Sequence, residues 1–144
     1  MNNYTELALK VDELFDDKPN LRESNYFKPL FMHYFIKGYS SEFITSYAAQ
    51  IESSIVILSI KRGALDVRSL DFPSLMNYLR DSIDSQLRPC EKQPDCLVIH
   101  SVNNQYALGL LLDDGRIYNG FINNPYVAEA DVNVRGYFLG REMI

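Results

Sequence analysis

The chain has 144 residues, enough for one domain and too few for two substantial cores; at 47% hydrophobic and 23% charged, with 7 Gly and 6 Pro, its composition is globular. Its 14 Lys and Arg against 19 Asp and Glu leave a net charge of −5 without a basic run, which disfavours nucleic-acid binding through phosphate neutralisation. The acids gather toward the ends: residues 1–23 carry six acids and three bases, residues 24–70 three acids and five bases.

The start, Met1-Asn2-Asn3-Tyr4, lacks a basic segment followed by a long apolar one, and the apolar runs around Leu30–Ile36 and Ile55–Leu58 are too short to span a bilayer. A cytoplasmic protein with no membrane role is expected. Over residues 5–16, Leu7, Val11, Leu14 and Phe15 fall on one helical face, and Asp17-Lys18-Pro19-Asn20 ends the helix. A second, short and aromatic helix starts at Pro29 and stops at Gly38. Ser40 or Ser41 caps a third segment, in which Ile44, Tyr47, Ala48, Ile51, Ile55 and Leu58 recur at helical spacing. One helix over 41–61 is expected there, the rival being a break near Ser53-Ser54 followed by a strand over 55–60. Asp71 caps a fourth helix with Pro73 in its first turn and Leu75, Leu79, Ile83 and Leu87 along one face, ending before Pro89.

From Asp95 the pattern alternates. Strands are expected over Cys96–Val102, Gln105–Leu112 and Arg116–Ile122, joined by Asn103-Asn104 and Asp114-Gly115 turns, with a last strand over Val132–Leu139 after Asn123-Asn124-Pro125. The fold class is therefore α+β, a helical N-terminal half of about four helices on a C-terminal antiparallel meander of three to four strands, in one domain spanning 1–144.

Few residues suggest chemistry. Cys90, Cys96 and His100 make a C-x5-C-x3-H spacing, but structural zinc needs a fourth ligand and closer cysteine pairs, so no metal and no cofactor is expected. The same residues could serve as nucleophile and base with Asp95 or Asp113; the plainer reading is a loop cysteine, a packed cysteine and a strand histidine. His33, between Met32 and Tyr34, reads as a helix-surface histidine. Two cysteines cannot staple a domain of this size, and reduced thiols are expected.

Recognition is the remaining theme. With 10 Tyr, 8 Phe and no Trp, the chain is rich in a residue that buries area at low entropic cost and keeps a hydroxyl. The expected function is a non-enzymatic module binding a basic protein, most concretely an immunity protein or antitoxin neutralising a nuclease-type toxin. Its expected contacts are Asp12, Glu13, Asp16 and Asp17 of the first helix with Asp113, Asp114, Tyr118 and Tyr126, and the edge of the last strand is a place for a partner strand to add. The alternatives are a secretion-type chaperone or adaptor, with a homodimer as its natural form, and a small Cys/His hydrolase or transferase using Cys96 and His100.

Overall fold

The computed structural model describes residues 4–16, 27–62, 71–102, 105–119 and 125–142. Among the described residues four helices precede a six-stranded antiparallel sheet, the α+β arrangement that the change of hydrophobic period implies. Helix α1 (Tyr4–Asp16) buries Val11 and Phe15. Helix α2 (Lys28–Ile36) is buried continuously from Pro29 to Tyr34, as an all-round apolar helix must be, and lies at the centre of the helical layer. Gly38 ends it at φ 94°, its N–H donating to the Phe35 carbonyl while that of Tyr39 donates to the Tyr34 carbonyl.

Helix α3 (Ser41–Arg62) is the single long helix, which settles the choice against a strand over 55–60. The Ser40 hydroxyl accepts from the Phe43 N–H at its start, and Ile44, Tyr47, Ala48 and Ile51 face the core. Helix α4 (Phe72–Tyr78) is capped as expected, the Asp71 carboxylate accepting from the Ser74 N–H at 2.8 Å. It does not run on to Leu87. Leu79–Ile83 widen into a π-helical turn closed by the Asp84 N–H on the Leu79 carbonyl, and Asp84 then turns extended at φ −147°. The buried Asp84 carboxylate draws the chain out of the helix, because it accepts from the N–H groups of Gln86 and Arg141.

The strands are β1 (Arg88–Pro89), β2 (Leu97–Val102), β3 (Gln105–Leu111), β4 (Arg116–Tyr118), β5 (Tyr126–Ala128) and β6 (Asn133–Leu139), in the order β1-β6-β2-β3-β4-β5. The meander is β2 to β5. Strand β6 does not extend it but returns to pair with β2, with β1 on its other side opposite Leu139 and Phe138. The last strand is thus an inner strand, and the expectation that it offers a whole free edge is corrected. The β3–β4 connection is corrected too: Asp113-Asp114-Gly115 form a three-residue turn in which only Gly115 has positive φ, closed by the Leu112 N–H on the Arg116 carbonyl. The Asn103-Asn104 turn and residues 120–122 of the expected third strand lie outside the described residues.

One face of the sheet packs Leu97, Ile99, Leu108, Leu110, Tyr118 and Phe138 against the helices. The other carries a second cluster, Cys96, Val98, Leu111 and Ile117, backed by Val127, Val132, Val134 and Leu139. No helix of the described residues covers this second face; the sheet covers itself. In a flat sheet β5 and β6 would stand about 19 Å apart, four strand spacings. The chain from Ala128 to Asn133, with a 3₁₀ turn at Glu129–Asp131, reaches only about 13 Å. The sheet therefore curls, with the second cluster on its concave side. Gly109 lies on that side, where an added Cβ would meet Ile117 Cγ2 at 2.3 Å. Gly109→Ala is expected to lose about 1–3 kcal/mol through overpacking, read as a lower urea midpoint at unchanged slope; an unchanged midpoint would show the curl to be looser than described.

Candidate functional site

The acids and tyrosines expected to form a contact surface come together in part. Helix α1 lies along the β3–β4 hairpin. Near its start the Tyr4 hydroxyl donates to the Asp95 carboxylate at 2.7 Å and lies close to Asp113; burial and the Asp95 bond push its pKa up to about 12. Two turns on, Asp12 lies close enough to Tyr118 to add to the rise in that phenol's pKa, which burial dominates. Asp12, Glu13, Asp16, Asp113 and Asp114 are all exposed. Asp17 lies outside the described residues.

Local cations neutralise part of the charge. Lys28 Nζ is 2.8 Å from Asp12, Arg116 Nε is 2.7 Å from Asp114, and Lys10 pairs loosely with Glu6 at 4.0 Å. Glu13 and Asp113 make no ion pair among the described residues, and they carry the open negative charge. Tyr118 is not a surface residue: it is 3% exposed and belongs to the main core, because residues of β4 alternate between faces. Tyr126 is half-buried, its ring 5.5 Å from that of Tyr118 and covered by the Arg116 guanidinium at 4.9 Å. Sequence alone places both rings beside the acids but does not reveal which one the helices cover.

A second constellation was not apparent from spacing. His33 is 1% exposed rather than on a helix surface. Its Nδ1–H donates to the Asp95 carbonyl at 2.7 Å, and its Nε2 accepts from the Gly140 N–H at 3.3 Å, so α2, the loop before β2 and the chain after β6 meet on one imidazole. One residue further, the Tyr34 hydroxyl donates to the Asp84 carboxylate in a short hydrogen bond and is joined by the Tyr47 hydroxyl. Asp84 also receives the Arg141 N–H at 2.8 Å, while Lys37 Nζ donates to the carbonyls of Gly140 and Arg141. The Arg141 guanidinium lies over the rings of Tyr47 and Phe43 at 5.1 and 5.8 Å. These bonds fasten Gly140 and Arg141 to the helical layer. The sequence signal for it is a single histidine inside the otherwise apolar Pro29–Ile36: a helix apolar all round is buried, and a buried imidazole needs partners.

The Cys/His grouping does not have the electrostatics of a nucleophile. Cys96 is fully buried, and burial pushes its thiol up to about 11, away from the thiolate that a reactive cysteine requires. Its neighbouring thiol is Cys90, which lies in the same cluster. His100 shares the strand face, but among the described residues neither ring nitrogen has a hydrogen-bond partner, and burial lowers its pKa to about 4. Among the described residues no three His, Cys, Asp or Glu are grouped to hold a metal ion, and no helix is long and apolar enough to cross a membrane. Compared with known proteins, the chain matches no family, no curated sequence and no solved structure.

Proposed function

We propose that this chain is a protein-binding module whose acidic α1/β3–β4 side receives a basic protein partner, and that its most concrete form is an immunity protein or antitoxin capping a nuclease-type toxin. The reading rests on one observation: helix α1 and the β3–β4 turn, a hundred residues apart in sequence, lie side by side and expose Glu13, Asp16 and Asp113, with Glu13 and Asp113 outside any ion pair among the described residues. Opposite charge speeds capture of a basic target and selects against acidic ones. Asp12 and Asp114, already paired to Lys28 and Arg116, contribute less.

The test uses the purified chain as bait for the products of neighbouring genes, at low and moderate salt. One basic protein retained stoichiometrically, and more tightly at low salt, is the expected result. The Glu13→Lys, Asp113→Lys double variant is expected to slow association about tenfold and flatten its salt dependence, with the thermal midpoint unchanged. Retention of unfolded clients only would favour the chaperone reading, and equal binding by the double variant would remove this surface from consideration.

A further inference from the structure

The segment after β6 carries a cation that the fold positions and leaves unmatched. Both main-chain groups of Arg141 are bound: its N–H donates to the buried Asp84 carboxylate at 2.8 Å, and its carbonyl accepts from Lys37 Nζ at 2.9 Å and from the Tyr39 hydroxyl at 3.4 Å. From this fixed point the side chain reaches helix α3, where its guanidinium lies 5.1 Å from the centre of the Tyr47 ring and 5.8 Å from that of Phe43. The rings are themselves aligned, Phe43 stacking on Tyr39 at 4.6 Å and on Tyr47 at 5.9 Å. A guanidinium supported on ring faces is held in place before any ligand arrives.

What the guanidinium lacks is an acceptor. Among the described residues its Nε is enclosed without a hydrogen-bond partner, and no carboxylate pairs with the side chain. The acids bonded to this segment are already engaged, Asp84 by three donors and Glu142 by Arg88. Lys37, Arg88 and Arg141 thus face two carboxylates, which leaves one positive charge over in a chain whose net charge is −5. With Nε enclosed and one face on the rings, the half-buried side chain is partly stripped of water. A charge-assisted bond at its Nη edge is strengthened by that loss.

We infer that Arg141 is the centre of an oxyanion site that takes a phosphate group, as the free ion or as a small monoester. Two phosphate oxygens meet the Nη1 and Nη2 N–H groups in the forked geometry that a guanidinium offers and an ammonium does not. Lys37 and Arg88 add attraction at longer range. The site shares no residue with the acidic surface proposed above, and the inference is independent of that partner.

The purified chain is titrated with inorganic phosphate at pH 7.5, exchanged against chloride at constant ionic strength, and the side-chain N–H resonances of Arg141 are followed by NMR. The expected result is a saturable shift with a midpoint of about 1 mM, and a thermal midpoint about 3 °C higher at saturation. Arg141→Gln should lose the thermal increment, and Arg141→Lys, which keeps the charge without the fork, should lose most of it. Arg135→Gln, which alters an arginine over Phe72 and Tyr106, should keep it whole. A parallel titration with glycerol 3-phosphate separates the two sources: tighter binding assigns the site to a monoester, equal or weaker binding to the free ion. A shift that does not saturate, an increment equal in Arg141→Gln, or one lost in Arg135→Gln would each overturn the inference.

Discussion

Replacing Asp84 by alanine is expected to lower stability by roughly 3–5 kcal/mol, the largest effect of any single substitution considered for this chain. Asp84 is 2% exposed, and its two oxygens receive three donors, the Tyr34 hydroxyl and the N–H groups of Gln86 and Arg141. Alanine would take the carboxylate away from all three, leaving the Tyr34 hydroxyl only its Tyr47 neighbour and the two N–H groups no side-chain acceptor, beside Leu30, Leu79, Leu87, Leu97 and Leu108. The loss is desolvation left uncompensated, which exceeds what the bonds contribute when intact. Asp84→Asn keeps one acceptor oxygen and should lose less than half as much, and Tyr34→Phe, which removes a single donor, about 1 kcal/mol. Urea unfolding of the three variants decides the matter. If Asp84→Ala falls within 1 kcal/mol of the unsubstituted chain, the carboxylate does not organise the π-helical turn and the segment after β6.

Acid should unfold the protein through its histidines before its carboxylates. Burial lowers the pKa of both His33 and His100 from 6.5 to about 4; for His33 the bond to the Asp95 carbonyl opposes that shift and the Lys37 charge adds to it. A folded pKa below the unfolded one means that the unfolded chain binds protons the folded chain refuses. Stability is then whole above about pH 6.5, falls as pH drops, and the loss is complete near pH 4. Each shift corresponds to roughly 3 kcal/mol, so the pair approaches the whole stability of an ordinary domain. Hydrogen bonds from Ser74, Arg116 and Arg88 hold the exposed acids Asp71, Asp114 and Glu142 below their ordinary values, so what they contribute is lost only as pH falls from the ordinary carboxylate range downward, after the histidines have begun to charge. Urea midpoints measured between pH 7.5 and 4.5 should fall with a slope approaching two protons. His100→Leu should remove about half that slope and raise stability at neutral pH, because it replaces two buried ring nitrogens that have no partner among the described residues by apolar volume. A flat profile over this range would mean that water reaches both rings.

The elements that depend on neighbours in sequence were legible. Pro29 and Gly38 bound α2, Asp71 caps α4, and the leucine spacing of α1 gives its buried face, because a cap or a helical stripe involves residues within a turn or two. What was not legible is decided across the fold. The periodicity of Leu75, Leu79, Ile83 and Leu87 continues past the point where the helix widens, since Leu87 is buried without being helical. Two-residue strands such as β1 carry no periodicity at all, and strand order depends on where β6 finds an open partner. The candidate surface was half legible for the same reason. Charge spacing identifies the acids, but the lysine that quenches Asp12 comes from another helix, and Tyr118 turns inward because its strand is covered.

Strand β6 lies between β1 and β2 although the ribosome makes it after both. The hairpins of the meander can close while the chain is still emerging, but β1 has no partner until Asn133–Leu139 are outside the exit tunnel, and Asp84 and His33 wait for Gly140 and Arg141. Nascent chains stalled before these residues should therefore hold the helical layer loosely and be open to protease, and full resistance should arrive in one step once that segment is free. The interval between synthesis and a protease-resistant fold is then set by the pairings of this segment rather than by the helices made first.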